Sequence, residues 1–235
     1  MNSPFIKQLR KGKVKKMGKK GAKDPFEREW ESGIFKNPFE DKLWLTKTGL
    51  KGDEIADTRV HGGPEKALFA YPVKHYEYWQ KELQLEINAG GFGENLVVEG
   101  TDEFTTCLGD TYRFGDAIIE VSQPRQPCWK PARRFQVIDF ALRIQQTGKT
   151  GWYFRVLQEG YVEGGVSMEL LERPYPEWTI EKCNEVMHKK KDDLELTASL
   201  LACEALAQNW QRTFRRRLRG IQSDIAKRVY GPNKD

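Results

Sequence analysis

The part of the 235-residue sequence best suited to chemistry is a proline-rich segment around Cys128. It runs Ser122-Gln123-Pro124-Arg125-Gln126-Pro127-Cys128-Trp129-Lys130-Pro131 and follows an apparent strand. Its three prolines hold the backbone extended and fix where the cysteine points. The positively charged side chains around the cysteine are Arg125, Lys130, Arg133 and Arg134. Their charge favours the thiolate, the form that acts as a nucleophile or as a soft metal ligand. A buried structural cysteine is the alternative.

The remaining cysteines, Cys107, Cys183 and Cys203, lack such surroundings, and we expect them to be buried and inert. The sequence has no Cys-x-x-Cys pair and no HExxH helix among its four cysteines and three histidines. Structural zinc and a disulfide framework are therefore not expected.

A second segment with chemical potential is Arg59-Val60-His61-Gly62-Gly63-Pro64-Glu65-Lys66-Ala67. Two glycines before a proline predict a tight turn whose backbone amides approach an anion closely. The side chains of Arg59, His61 and Lys66 add charge and hydrogen bonds. The pattern is typical of an oxyanion or phosphate pocket, although glycines that serve only the geometry of a turn would give the same pattern.

Other glycine-rich segments exclude several enzyme classes. Gly90-Gly91-Phe92-Gly93-Glu94-Asn95-Leu96 precedes strand-like residues, and Leu96 stands where a dinucleotide fingerprint needs its last glycine. Gly148-Lys149-Thr150 resembles the end of a phosphate-binding loop, but Arg143 replaces the required earlier glycine. No Gly-x-Ser-x-Gly elbow is present. Nicotinamide binding, ATP hydrolysis and triad hydrolysis are disfavoured.

The elements that must position these segments are mainly short strands. Strand patterns occur at residues 42–45, 95–99 and 117–121, and the N-terminal segment suits an edge strand with turns. One helix is expected to interrupt them, with Pro72 at its first position. The aromatic stripe of that helix is interpreted as core packing, and its members are Tyr71, His75, Tyr78 and Trp79.

Beyond Arg173-Pro174-Tyr175-Pro176 the pattern becomes helical. Thr179 is expected to cap a helix that runs to about Lys189. Asp192 or Asp193 is expected to cap a second helix. A third helix is expected through Trp210, Phe214 and Leu218, to end at Gly220. We therefore predict a main domain over 1–175 and a C-terminal helical domain with a basic tail over 176–235.

Composition places the chain among globular proteins. It is 38% hydrophobic and 31% charged, with a mean hydropathy of -0.71. A chain of 27.3 kDa can bury about 70% of its surface without disulfides. No segment is apolar enough for a membrane span or a secretory signal, so we expect a cytoplasmic protein without a membrane partner.

Positive charge is concentrated at the two ends of the chain. Residues 1–23 contain nine Lys or Arg and no acid, and residues 208–235 contain eight basic and two acidic residues. Such ends can bind nucleic acid or an acidic partner. Solubility, with lysines that discourage pairing at a strand edge, is the favoured interpretation.

Seven motifs in order resemble the MOSC domain family, specifically its YiiM-like branch. They are Ser32-Gly33-Ile34-Phe35-Lys36, Gly49-Leu50-Lys51-Gly52-Asp53, His61-Gly62-Gly63 with Lys66-Ala67, Gly93-Glu94-Asn95, Leu108-Gly109-Asp110, Gln123-Pro124-Arg125-Gln126-Pro127-Cys128-Trp129-Lys130 and Gly151-Trp152-Tyr153. The resemblance covers residues from about 20 to 175, and the rest looks like the three-helix domain of this branch. The sequence departs from the branch at Gly164-Gly165-Val166, where Gly-Asp is usual.

The resemblance implies an α+β, mainly β fold: a barrel-like MOSC domain with a few helices, followed by three C-terminal helices. It also implies a molybdenum cofactor (molybdopterin), with Cys128 as the molybdenum ligand and catalytic residue. The residues placed around the phosphate and pterin of this cofactor are Lys36, Arg59, His61, Asn95, Arg125 and Lys130. Glu94 is expected nearby.

The function implied is reduction of N-hydroxylated compounds, such as 6-hydroxylaminopurine, to the amine in detoxification. No flavin, haem or iron–sulfur motif is readable, so electrons are expected from a separate reductase, a flavoprotein. Whether the helical domain docks a partner or closes a homodimer is left open.

Two other functions compete with this one. Cys128 could carry sulfur as a persulfide, or a cofactor, without redox turnover. The chain could instead be a nucleic-acid-binding module that uses its basic ends with Trp210 and Phe214.

Overall fold

The computed structural model of the chain describes residues 3–58, 60–222 and 224–234. Fourteen β-strands lie within these ranges. They are β1 (Phe5–Lys11), β2 (Lys15–Met17), β3 (Trp30–Ser32), β4 (Asn37–Phe39), β5 (Leu43–Thr46), β6 (Gly49–Leu50), β7 (Leu68–Pro72), β8 (Leu96–Glu99), β9 (Thr111–Phe114), β10 (Ala117–Pro124), β11 (Trp152–Gln158), β12 (Gly160–Val162), β13 (Val166–Ser167) and β14 (Glu169–Glu172).

Seven α-helices lie in the same described ranges. They are α1 (Lys74–Leu83), α2 (Trp129–Phe135), α3 (Phe140–Thr147), α4 (Ile180–His188), α5 (Leu194–Leu201), α6 (Gln208–Leu218) and α7 (Ala226–Val229). Single 3-10 turns occur at Pro64–Lys66 and Gly231–Asn233. No helix of the described residues is long and apolar enough to cross a membrane.

Nine strands form the main sheet, a curled half-barrel that confirms the mainly β fold. Eight of them follow the order β13-β1-β8-β7-β11-β10-β9-β14, and β4 pairs with β1. The β7–β8 pair is parallel, and the other pairs are antiparallel. Smaller sheets, β12-β5-β6 and β2-β3, complete the β body. The three strand patterns expected from the sequence correspond to β5, β8 and β10.

The first strand lies inside the main sheet, so the prediction of an edge strand is wrong for β1, whereas β2 of the same N-terminal segment pairs with β3 alone among the described strands and is an edge strand. Ile6 pairs with Val98 of β8 on one side and with Val166 of β13 on the other. Ile6 and Leu9 are fully buried in the main hydrophobic core, and this burial places β1 between two neighbours. The lysines that suggested an edge include Lys7, which is exposed to solvent.

The β body contains three helices where the sequence predicted one. Pro72 ends β7 and α1 starts at Lys74, two residues later than expected. Helix α2 was missed because the prolines around Cys128 predicted extended backbone throughout. Pro131 lies in its first turn, where a residue without a backbone N–H is tolerated. Helix α3 was also missed.

The aromatic stripe predicted from the sequence contributes to a second core, as expected. Tyr71 and Trp79 are fully buried, and the Trp79 indole Nε1 donates a hydrogen bond to the Tyr71 hydroxyl over 2.8 Å. His75 is buried and pairs through Nε2 with Glu103 over 2.7 Å.

Helices α4, α5 and α6 confirm the three-helix prediction, whereas α7 in the basic tail was not predicted. The Thr179 hydroxyl accepts a hydrogen bond from the backbone N–H of Lys182, and the Asp193 carboxylate accepts one from that of Leu196. These are the expected N-terminal caps of α4 and α5. Trp210 and Phe214 of α6 are fully buried in the core of this region.

The basic tail folds back onto the Cys128 segment, which the sequence did not predict. The Arg228 guanidinium donates hydrogen bonds to the Pro127 carbonyl and, over 2.6 Å, to the Gln145 side chain. The Asn233 amide donates to the Trp129 carbonyl over 3.0 Å. The carbonyls on both sides of Cys128 therefore accept hydrogen bonds from the C-terminal segment.

Candidate functional site

The candidate site is a cavity of about 170 Å³ on the β body, formed where loops of distant sequence meet. Cys128 lies on its wall, together with the side chains of His61, Arg125 and Lys130. The segments that contribute to the wall are 32–36, 46–56, 61–69, 92–95, 125–130 and Tyr153. The three chemical segments identified from the sequence thus converge on one cavity.

Cys128 is half-buried and lies at the residue that precedes α2. Burial alone would raise the pKa of its thiol. Opposing this, the hydrogen bond and charge of His61, the charge of Arg125 and the backbone N–H of Lys130 lower the pKa from 9.0 to about 6. The thiolate is therefore the main form at neutral pH, as the sequence predicted.

The source of the positive charge differs from the prediction. Arg133 is directed away from the cavity and donates to the Asn233 side chain over 2.6 Å and to the Arg28 carbonyl over 2.8 Å. Arg134 donates to the carbonyls of Ile34 and Gly90. Both residues follow Cys128 closely in sequence, but α2 turns their side chains toward backbone carbonyls elsewhere.

Arg125 is a buried cation of the cavity wall. Its side chain is 4% exposed and lies over the Phe69 ring at 4.9 Å. The guanidinium hydrogen bonds to Tyr153, whereas Nη1 is buried and has no hydrogen-bond partner among the residues that the structure describes. A buried, unpaired donor carries a free-energy penalty that an anionic ligand would remove.

Lys36 and Asn95 line the cavity, and the polar atoms of both side chains interact with the carboxylate of Asp53. The Lys36 ammonium forms a buried ion pair with Asp53, and the Asn95 Nδ2 atom donates to Asp53 over 2.9 Å. Asp53 also accepts from the Gly12 backbone N–H over 2.8 Å. Asp53 therefore joins three segments at the cavity wall.

Lys66 adds a further cation to the wall. Its Nζ atom donates to the Val60 carbonyl over 2.7 Å. Burial lowers the pKa of Lys66, while the neighbouring Glu65 carboxylate and the Cys128 thiolate oppose this effect. Glu65 in turn accepts the backbone N–H of Gln208 at the start of α6, over 2.9 Å, so the C-terminal helices pack against this loop.

Glycines allow the wall segments to approach one another. A Cβ atom at Gly33 would lie 2.2 Å from the Glu54 carbonyl oxygen. Gly62 has a φ of +76°, and a Cβ atom there would lie 2.3 Å from the Ile55 side chain. Both positions therefore require glycine.

Six of the seven site residues predicted from the sequence line this one cavity: Lys36, His61, Asn95, Arg125, Cys128 and Lys130. Arg59 lies outside the described residues. Glu94 does not line the cavity, because its buried carboxylate accepts hydrogen bonds from the Tyr76 hydroxyl and from the backbone of the preceding loop.

Sequence reasoning missed Asp53 and Tyr153 as individual site residues. Each lies in a motif that supported the family resemblance, Gly49–Asp53 or Gly151–Tyr153, and this was the available signal. The described residues contain no group of three or more His, Cys, Asp or Glu placed to hold a metal ion by themselves.

The donor set fits a molybdenum cofactor. A thiolate is a soft ligand suited to such a metal. The buried, unpaired Nη1 atom of Arg125 suits the phosphate of a molybdopterin.

Comparisons with family models and with known proteins relate the chain to the same family. The MOSC domain family model matches residues 57–169, and the model described as "YiiM-like, 3-alpha helix domain" matches residues 178–220. Protein YiiM of Escherichia coli is 40% identical over 204 residues, which are 85% of this chain and 91% of that protein. A protein named "Reductase" from Gibberella moniliformis is 37% identical over 195 residues, which are 81% of this chain and 33% of that protein.

The crystal structure of YiiM from Geobacillus stearothermophilus superposes with a TM-score of 0.76. It is 35% identical and covers 92% of this chain and 99% of its own. The chain therefore belongs to the MOSC domain family, in the YiiM-like branch that joins this domain to three C-terminal helices.

Proposed function

We propose that the chain is a molybdenum-cofactor-dependent oxidoreductase that reduces N-hydroxylated compounds, such as 6-hydroxylaminopurine, to the corresponding amines. The observation that carries the proposal is one cavity that contains both the Cys128 thiol and the unpaired, buried guanidinium nitrogen of Arg125. The former suits a soft metal, and the latter suits an anionic group. Membership of the MOSC family supports the same cofactor.

Each proposed cofactor contact follows from the position of a side chain in the cavity. Cys128 would hold molybdenum, and Arg125 and Lys130 would hold the phosphate. Lys36 and Asn95 would border the pterin, with their orientation fixed by Asp53. His61 hydrogen bonds to Cys128 and would stabilise its thiolate. Arg59 keeps the cofactor-binding role that the family resemblance implies.

The reaction breaks an N–O bond. It consumes two electrons and two protons and releases the amine and water. When bound, the cofactor supplies the two-electron redox chemistry. The protein orients the substrate and limits access of water to the cavity. His61, which lies beside the reactive thiol, is placed to hold a proton on its imidazole ring.

Electrons would come from a separate reductase, for which we propose a flavoprotein. The sequence contains no readable flavin, haem or iron–sulfur motif. The fungal relative named "Reductase", of which this chain matches 33%, is consistent with redox chemistry. The nucleic-acid alternative loses support, because Trp210 and Phe214 are fully buried and cannot stack on bases.

The test is turnover with an artificial electron donor. Molybdenum-loaded protein, reduced methyl viologen and 6-hydroxylaminopurine are incubated without oxygen, and adenine is measured by chromatography. We expect adenine from the wild type and none from Cys128→Ala or from protein made in a cofactor-deficient host. No adenine from the loaded wild type, while a related reductase produces it in parallel, would refute the proposal.

A further inference from the structure

A second cavity adjoins the one that contains Cys128. Its volume is about 510 Å³, and it shares Ala56, His61 and Lys130 with the first cavity. Because His61 also hydrogen bonds to Cys128, the junction between the two cavities lies beside the reactive thiol. A molecule in the second cavity can therefore reach this junction with one end.

Two tryptophans distinguish the wall of the second cavity. Trp30, at the start of β3, and Trp129, at the start of α2, both line it, and both are half-buried. Their ring centroids are 5.8 Å apart, with the planes inclined by 59°. Trp129 directly follows Cys128, so the aromatic wall begins one residue from the proposed metal ligand.

The positions of these indoles are fixed by the surrounding structure. A Cβ atom at Gly231 would lie 2.3 Å from the Trp129 ring, so the C-terminal segment packs tightly against this indole. The Arg133 guanidinium lies 5.5 Å from the Trp129 ring centroid and 6.0 Å from that of Trp30. The tryptophans thus form a rigid aromatic surface, and such a surface binds planar rings with little loss of side-chain freedom.

The proposed cofactor contacts do not involve this aromatic surface. The proposed phosphate and pterin contacts lie in the first cavity, where the unpaired nitrogen of Arg125 is found. Arg125 does not line the second cavity. The two cavities therefore differ in chemistry, one with a buried cation for an anion and the other with aromatic rings for a planar group.

We propose that the second cavity is the substrate ring site, in which the Trp30 indole stacks on a planar aromatic or heteroaromatic ring, Trp129 packs against the edge of that ring, and its N-hydroxyl group is directed to the junction at His61. This inference rests on the proposed reductase function. It makes Trp30 a specificity-determining residue. Planar N-hydroxylated rings are favoured over small aliphatic amidoximes, which have too little surface to stack.

The test uses the cofactor-loaded protein. It compares the kinetics of two substrates and also measures the Kd for one of them. Trp30→Leu removes the aromatic face, and Trp30→Phe retains part of it. Trp44→Leu is the matched control, because Trp44 is a partly exposed tryptophan on β5 that lines neither cavity. Steady-state kinetics use 6-hydroxylaminopurine and acetamidoxime, and equilibrium dialysis measures the Kd for 6-hydroxylaminopurine without turnover.

We expect Trp30→Leu to weaken purine binding and to raise its KM by about 5- to 150-fold, the range spanned by stacking of a base on an aromatic side chain. Its KM for acetamidoxime should change less than about 2-fold on the same reasoning. Trp30→Phe should recover most of the purine affinity, and Trp44→Leu should match the wild type. Molybdenum per chain should stay at the wild-type value in every variant.

Three results would overturn the inference. They are an unchanged Kd for the purine in Trp30→Leu, an equal loss for both substrates, and a parallel loss of molybdenum, which would place the cofactor in this cavity. Failure of the proposed function gives a different result. In that case the loaded wild type reduces neither compound, while the dialysis measurement still decides whether Trp30 binds the ring.

Discussion

Replacement of Arg125 by methionine separates the cofactor affinity of the protein from its stability. The change removes the guanidinium but keeps an unbranched, shorter apolar side chain in the buried position beside Phe69 and Tyr153. Because the Nη1 atom has no hydrogen-bond partner in the described part of the chain, we expect the main effect on a bound anion and only a small effect on the cofactor-free fold.

The magnitudes follow from the contacts of Arg125. In the cofactor-free protein, loss of the Tyr153 hydrogen bond and the Phe69 contact costs about 1–3 kcal/mol. Removal of the buried, unpaired donor returns about 1–3 kcal/mol. The two effects differ by at most about 2 kcal/mol, so the melting temperature should change by less than about 8 °C. With cofactor, loss of hydrogen bonds to a charged group costs about 1.5–3 kcal/mol, or roughly 10- to 150-fold in affinity.

The assay is molybdenum per chain after dialysis under conditions in which the wild type retains about half its metal. A tenfold weaker site then retains about a tenth by mass action. Arg143→Met is the matched control, since Arg143 pairs with Asp139 on α3 over 2.9 Å, outside the cavity. Wild-type retention of molybdenum by Arg125→Met would refute the reasoning, as would a fall of more than about 10 °C in the melting temperature of its cofactor-free form.

Other contacts lead to three further predictions. In cofactor-free protein, alkylation of Cys128 by iodoacetamide should rise with pH to half its maximum near pH 6, and His61→Ala should move this midpoint upward; a wild-type midpoint near 9 would contradict the site geometry. Lys36→Met should reduce the free energy of unfolding by about 3–5 kcal/mol because it leaves the Asp53 carboxylate buried and unpaired. Addition of Asp53→Asn should restore part of that loss in urea unfolding, and strict additivity would argue against the pair. Arg228→Met should lower the free energy of unfolding by about 1–3 kcal/mol and speed Cys128 alkylation, because the Pro127 carbonyl loses its donor; an unchanged alkylation rate would show that the tail does not hold this segment.

The sequence predicted those parts of the fold that depend on local patterns. The caps at Thr179 and Asp193 act within three residues of the backbone groups they satisfy, so their signal is readable in the chain. The short strands around Leu43 and Leu96 carry their own apolar residues between turn residues. Helix α2 was hidden because a proline in the first turn resembles one that breaks a helix.

The parts that were not predicted depend on contacts between distant residues. Asp53 pairs with Lys36, 17 residues away, and with Asn95, 42 residues away. Arg133 reaches Asn233 across 100 residues, and this pairing removes it from the surroundings of Cys128. No local pattern specifies such partners. The cavity could be located from its motifs, whereas the direction of each side chain required the structure.

The most direct test of the central claim is molybdenum per chain, determined by elemental analysis. Wild type and Cys128→Ala are purified from a cofactor-competent host, and wild type is also purified from a cofactor-deficient host. We expect nearly stoichiometric molybdenum in the first sample and none in the other two. Folded wild type from the competent host that carries no molybdenum, with a persulfide on Cys128 by mass spectrometry, would contradict it and favour a sulfur carrier.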